Sequence, residues 1–291
     1  MRSPFLSISA VSFLLAMLPA PTVAGDEPTD WRSWSTGERL VVSLGAFYPT
    51  LNTTVAVADQ DGVIGAVVSF EEDLKLDKRK ATLFGDLRWR VAKRHTIGVS
   101  YFELDRSSFE SGGGTIIIGD EQLDPNLPIE SFFDIQVLDF SYSYSFLMDE
   151  RKELYAGLGL SLEELKFGIR GTADSDNPGD ITPGEPIEER VELIAPLPTL
   201  NLGFNYAFTD KWMLDLTAGW FAVGLELADN EDFDGSIIRG SAGIRWKAFE
   251  NFGLRASYEL FDVDIDYRKR SAVGELQYDY RGPAIGVEWF F

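Results

Sequence analysis

His95 is the only histidine in this chain of 291 residues, and there is no cysteine. Those two facts bound the chemistry. Without thiols there is no cysteine nucleophile, no thiolate metal site and no disulfide framework. A general base working at neutral pH is most often a histidine, whose ordinary pKa lies close to that pH. His95 stands in "AKRHT" (92–96), beside Lys93 and Arg94, which is the setting of a solvated turn residue. No lysine–serine pair offers a substitute base. Catalysis is therefore not expected, and no catalytic, cofactor-binding or metal residue is assigned.

Carboxylates are the other candidate chemistry. They gather in hydrophilic links: Asp120, Glu121 and Asp124; Asp174, Asp176 and Asp180; Asp229, Glu231, Asp232 and Asp234. "NEDFDG" (230–235) imitates the start of a calcium loop, with Asn230, Asp232 and Asp234 spaced by two before Gly235. The twelfth position is Ser241, where such a loop needs a bidentate glutamate. Solvated acidic loops are the better description. "GGG" (112–114) lacks the lysine and following helix of a phosphate cradle, and "NTT" (52–54) fits a glycosylation acceptor only as a pattern. With 47 acidic against 26 basic residues and a net charge of −21, nucleic acid is not an expected partner, because phosphates select Lys and Arg.

The elements that hold these residues are strands. Residues 1–24 read as a secretory signal: Arg2, the apolar stretch "FLSISAVSFLLAML", then small residues ending near Ala24. Residues 25–38 are a polar tether. From Leu40 onward apolar and polar residues alternate. In "TLFGDLRWRV" (82–91), Leu83, Leu87, Trp89 and Val91 share one side, with Asp86, Arg88 and Arg90 opposite. "IIRGSAGIRWKA" (237–248) and "FGLRASYEL" (252–260) repeat the pattern. Period two marks strands with two unlike faces.

Ten strands are expected, at 39–50, 79–92, 95–107, 130–147, 152–170, 188–208, 211–228, 235–248, 252–268 and 275–291. Eight or twelve remain open, because 51–78 reads either as an outer loop with its own hairpin or as two more strands. Phase slips at Val137-Leu138 and Glu163-Glu164 read as bulges near a membrane edge. Short polar turns near 92–95, 148–152, 208–211 and 249–253 alternate with links that are mostly longer and acidic, which is an up-and-down meander.

Alternation alone does not say whether the apolar face points into a soluble core or out into lipid. Trp89, Trp212, Trp246 and Trp289 all fall beside a short turn or the C-terminus, as an interfacial aromatic girdle does. The opposite face carries both signs of charge: Asp86, Arg88, Arg90, Glu103, Asp215, Arg239, Arg245, Arg255, Glu259 and Glu288. In a lumen these residues pair across the barrel. The signal sends the chain out of the cytoplasm. Membrane is the reading these features favour; a soluble periplasmic barrel is the alternative.

The ending "RGPAIGVEWFF" (281–291) carries Ile285, Val287, Trp289 and Phe291 on one alternating face. It resembles the C-terminal signature of bacterial outer-membrane β-barrels of the small OmpA/OmpW-like kind. "VSFEEDLKLDKRKATLFGDLRWRVAKRHTIGVSYFELDR" (68–106) further resembles an uncharacterised group of such barrels with an acidic F-E-x-D-L segment. The resemblance implies an all-β transmembrane up-and-down antiparallel barrel over 39–291. Residues 1–24 are then the signal peptide, 25–38 a periplasmic tether, and the location the outer membrane of a Gram-negative bacterium. It also implies that the assembly machinery reads Phe291, Trp289, Val287 and Ile285. Outer-membrane lipid and lipopolysaccharide are the implied surroundings, with divalent cations loosely bridging to acidic outer loops. The expected role is structural or surface-interacting with a charge-filled lumen. A narrow channel for small or hydrophobic solutes is the alternative, and a lipid-modifying enzyme or protease is the less favoured third.

Overall fold

The computed structural model describes residues 38–58, 64–110, 117–118, 121–122, 129–149, 151–172, 186–227, 231–269 and 272–291. The expected signal, nearly all of the expected tether, "GGG" and most of the acidic links lie outside these residues. All described regular structure is β: β1 (Leu40–Phe47), β2 (Thr50–Ala58), β3 (Ile64–Ser69), β4 (Thr82–Ala92), β5 (His95–Glu110), β6 (Ile117–Ile118), β7 (Glu121–Gln122), β8 (Ile129–Met148), β9 (Lys152–Thr172), β10 (Pro186–Ala207), β11 (Trp212–Leu227), β12 (Glu231–Phe249), β13 (Phe252–Lys269) and β14 (Ala272–Phe290). The sheet runs β1-β4-β5-β8-β9-β10-β11-β12-β13-β14-β2-β3, and β1 also pairs with β14, which closes a barrel. β6 and β7 form a separate two-stranded hairpin.

The stretch 51–78 is neither a plain outer loop nor two extra staves. β1 pairs with β14 up to Phe47↔Ala284, and β2 resumes on β14 at Thr50↔Arg281. Three residues elapse on each strand, so the register is unbroken. β1 and β2 are one stave interrupted at Tyr48-Pro49, and ten staves make the wall. Gly282 faces that interruption; a Cβ there would fall 2.9 Å from Pro49 Cα. β3 folds back onto β2, and residues 70–80 then fill the wall beside β5, above the place where β4 begins.

The expected bulges at Val137-Leu138 and Glu163-Glu164 do not exist. The β8–β9 ladder runs unshifted through both positions, and its one irregularity lies at Ser145/Leu147, beside a short turn. What changes is the polarity of the faces. On β13 the inward residues go from Arg255, Ser257 and Glu259 to buried Phe261, Val263 and Ile265. The outward residues go from Tyr258 and Leu260, both exposed, to Asp262 and Asp264. β9 does the same, from exposed Leu158 and Leu160 to Glu164 and Lys166, while Leu165 turns inward. Read as a sequence, an inversion of faces looks like a one-residue slip; the pleat itself never changes phase.

The outward apolar belt therefore spans about nine residues of each stave, near the minimum that crosses a bilayer. At ~3.4 Å per residue and a tilt of roughly 40°, it stands about 20 Å tall, close to the ~25 Å band of membrane barrels. Above the belt the barrel is built like a soluble one, apolar inside and polar outside. At the short-turn end Asp149 Oδ1 accepts 2.8 Å bonds from the N–H groups of Arg151 and Lys152. Those bonds hold its carboxyl below the usual carboxylate range and shape the β8–β9 turn.

Candidate functional site: the barrel lumen

The interior has a floor, a chamber and a roof. The floor is a plug of Val41, Met213 and Phe290, over which Lys247 lies, its Nζ 5.2 Å from the Phe290 ring centre and paired with Glu38 of the tether end. Above it Arg245 grips Glu288 with two nitrogens, at 2.9 Å and 2.7 Å, both side chains nearly inaccessible. Arg90 pairs with Glu153 at 2.9 Å, and Glu153 also accepts from Ser145 (2.6 Å) and Asn205 (3.1 Å). Alternation puts each of these residues inward, and charge-assisted bonds offset the removal of their groups from water.

The chamber holds about 390 Å³ and is lined by Asp86, Arg88, Thr217, Arg255 and Glu259 among others. Arg255 reaches Asp215 (3.3 Å) and Ser241 (3.1 Å), and Ser241 donates to Glu259. Arg239 reaches Asp139 at 3.2 Å and Thr199 and Asn201 at 2.9 Å. Below the chamber the space narrows to about 20 Å³, and Arg88, Arg90, Glu153, Asn205 and Arg245 line both volumes.

The roof begins with Phe47, Phe102, Phe261 and Tyr280 in mutual ring contact. It continues into a core with Ile135, Val137, Leu165 and Val263, each 2% exposed or less. Glu163, fully buried, takes a hydrogen bond from Tyr278. Phe70, Glu71, Leu74 and Leu76 of the segment 70–78 reach into this core: Phe70 packs edge-on against Phe133, ring centres 5.2 Å apart. Glu71 makes a buried pair with Arg106 at 2.5 Å and accepts from the Thr53 N–H at 2.8 Å. Arg106 also donates to Thr53 Oγ1. Thr53, in the middle of the glycosylation pattern, is thus an interior residue.

Nine of the ten expected lumen charges face inward. Glu103 does not: it lies on the outer face of β5 above the belt, bonded by Tyr101 and Gln136, while its neighbour Leu104 is buried. Its misplacement follows from the face inversion, since the outward residues of β5 pass from Ile97 to Glu103 and Asp105 while the inward ones pass from Thr96 and Ser100 to Phe102 and Leu104. Trp89, Trp212, Trp246 and Trp289 stand together at the short-turn end; Trp212 and Trp246 stack 5.8 Å apart, and Trp289 meets Phe252 at 6.1 Å. On β14, Ile285, Val287 and Trp289 face outward, with Glu288 and Phe290 inward. Phe291 is exposed and exchanges backbone bonds with Leu40.

His95 is on the outer face at that same end, its Nδ1 2.7 Å from Tyr142 Oη and its ring against Tyr144. No described carboxylate or serine hydroxyl meets it. Asp232 and Asp234 of the calcium-like spacing fall on β12, which begins at Glu231, in an extended ladder, and Asn230 lies outside the described residues. Sequence reasoning missed the Glu71–Arg106–Thr53 lock and the Glu153 cluster. "FEEDL" carried a signal for the first: an apolar residue followed by acids in a segment without period two.

No protein-family model matches the chain, and no curated protein matches it. Solved structures do. The outer-membrane protease OmpT of Escherichia coli superposes with a TM-score of 0.50 at 12% identity, over 86% of this chain and 97% of that one. The fold is that of an outer-membrane β-barrel. The translocator domain of the autotransporter NalP of Neisseria meningitidis matches at 0.41 and 13% identity over 87% and 89%. The attachment protein Ail of Yersinia pestis matches at 0.32 and 11% over 87% and 99%. A likeness of fold at 12% identity does not select a role.

Proposed function

We propose that this chain is a non-catalytic outer-membrane barrel that works through its outer surface, its lumen closed to through-flow. The observation that supports this reading is the double closure of the interior, by the Arg245–Glu288 layer over its plug below and by the folded-in residues 70–78 above. Ten staves leave a lumen only slightly wider than the eight-stranded size that side chains fill. The storey above the belt presents Glu103, Asp105, Asp134, Glu164, Asp262 and Asp279 outward. Divalent cations bridging these carboxylates to lipopolysaccharide, and the assembly machinery reading Ile285, Val287, Trp289 and Phe291, are the partners this reading takes. Signal removal near Ala24 precedes insertion. The placement of His95 against Tyr142, on the lipid side, favours no catalytic base.

The polar chamber favours a second reading, a narrow channel for small or hydrophobic solutes. Planar-bilayer recording of the purified protein separates the two. The closed reading expects no steady conductance above that of the bare bilayer; regular wild-type steps would replace it with the channel reading.

A further inference from the structure

β10 and β11 form a hairpin that does not stay closed. They pair from Ala207↔Met213 to Leu200↔Trp220. Above that rung both continue, but apart: β10 runs on paired with β9, and β11 runs on to Leu227 paired with β12. The cause is in the sequence. Odd residues of β10 aim their N–H toward β9, as Ala207 does to Arg151 O, and even ones aim toward β11, as Phe208 does to Trp212 O. Pro196 and Pro198 are even and have no N–H, so two successive donors to β11 are missing. Their partners on β9 are Leu162 and Leu160, at the top of the apolar belt. The seam therefore opens at the height of the outer leaflet.

Inside the foot of the seam, Arg239 crosses β11 to reach Thr199 and Asn201 of β10. It passes over Gly219, where a Cβ would lie 2.8 Å from Arg239 Cγ and 2.5 Å from Asn201 Oδ1. The chamber of about 390 Å³ touches both sides of this foot through Asn201, Thr217 and Gly219. That volume falls within the ~300–1,000 Å³ range of ligand pockets. The walls carry both signs of charge, and four buried polar atoms of the lining residues have no hydrogen-bond partner in the protein: Asp86 Oδ2, Asn205 Oδ1, Asp215 Oδ1 and Arg255 Nε. Arg245 Nε lies 4.0 Å from Asp215 Oδ1. Three acceptors and one donor in a polar chamber that adjoins the foot of this seam suit a head group with a cation and an anion joined to tails that stay outside.

We propose that the chamber binds the phosphoethanolamine head of a membrane lipid, which arrives laterally through the β10–β11 seam and leaves its acyl chains in the bilayer. Arg255 Nε is the donor for the phosphate, and the Asp86 and Asp215 carboxylates receive the ammonium. This holds whether or not ions traverse the barrel. The test is native mass spectrometry of the full chain in detergent, titrated with dioleoyl phosphatidylethanolamine. A one-to-one adduct is expected, at least fivefold more abundant than with dioleoylglycerol, which has the same tails and no such head. Pro196→Val/Pro198→Val restores both donors and zips the seam, so the adduct is expected to fall at least fivefold while heat-modifiable gel mobility is kept. Equal adducts in both proteins, or with both lipids, would overturn the proposal, as would displacement of the lipid by equimolar free phosphoethanolamine. A second measurement stands apart from that variant's folding. In this cysteine-free chain, Leu202→Cys/Ala218→Cys is expected to oxidise to a disulfide and Leu197→Cys/Val223→Cys, which keeps both prolines, to stay reduced; equal oxidation would mean a closed seam and sink the lateral route.

Discussion

Arg245→Ala is expected to cost about 3–5 kcal/mol of folding stability, measured by denaturant-dependent loss of heat-modifiable mobility. Breaking one side of a buried pair leaves the other charge without compensation. Here the orphan is Glu288, 1% exposed, on the strand that closes the barrel against β1. Replacing both partners, as in Arg245→Met/Glu288→Leu, is expected to restore most of that stability, because two apolar side chains of similar volume leave no charge to desolvate. Arg245 is also the partition between the chamber and the small space beneath it. On the closed-lumen reading the single variant is therefore expected to join the two spaces without opening the roof, and to conduct no more than the wild type. A single variant as stable as wild type would mean that water already reaches this layer.

Glu71→Ala tests the roof. Its loss strands Arg106, whose side chain is inaccessible, and removes the acceptor of the Thr53 N–H. The segment it anchors holds Lys75 at φ 57°, a conformation that costs a lysine roughly 1 kcal/mol and persists only while its surroundings hold it. A local loss of about 3 kcal/mol raises the open population roughly a hundredfold. Trypsin cleavage at Lys75 and Lys78 is expected to accelerate by about that factor while the barrel keeps its folded mobility, since the β1–β14 closure does not depend on the lock. Unchanged cleavage would show that Phe70, Leu74 and Leu76 hold the segment by packing alone. Glu71→Leu/Arg106→Met is expected to return cleavage toward wild type.

Much of the fold was legible because period two survives in every stave and the short turns carry polar residues. The expected strands coincide with β1, β4, β5 and β8–β14 to within a few residues. Two features escaped for one physical reason. Each long stave passes through two media, and its faces exchange polarity at the boundary, which a reading confined to alternation takes for a bulge at Leu138 or Glu164 and for a lumen charge at Glu103. The continuation of β1 into β2 escaped because Pro49 interrupts the pattern, although the register across it does not change. The lumen pairs were legible as a set but not as partners: alternation says that Arg245 and Glu288 point inward, and only the pairing of β12 and β14 with opposite edges of β13 brings their side chains together. The β10–β11 seam was written in the sequence as two prolines spaced by two, but its meaning required knowing which neighbour even residues address.

The exchange of faces is the claim on which the rest depends, and a nitroxide scan along β13 tests it most directly, since single cysteines can be placed in a chain that has none. With the protein in lipid bilayers, labels at 254, 256, 258 and 260 are expected to collide with oxygen, and labels at 262 and 264 with a water-soluble nickel reagent. Labels at 255 to 265 on the odd positions should be shielded from both relative to their neighbours. Unbroken alternation is expected, with the outward medium switching between Leu260 and Asp262. A phase shift of one residue at that point, or oxygen dominance continuing through 264, would contradict it.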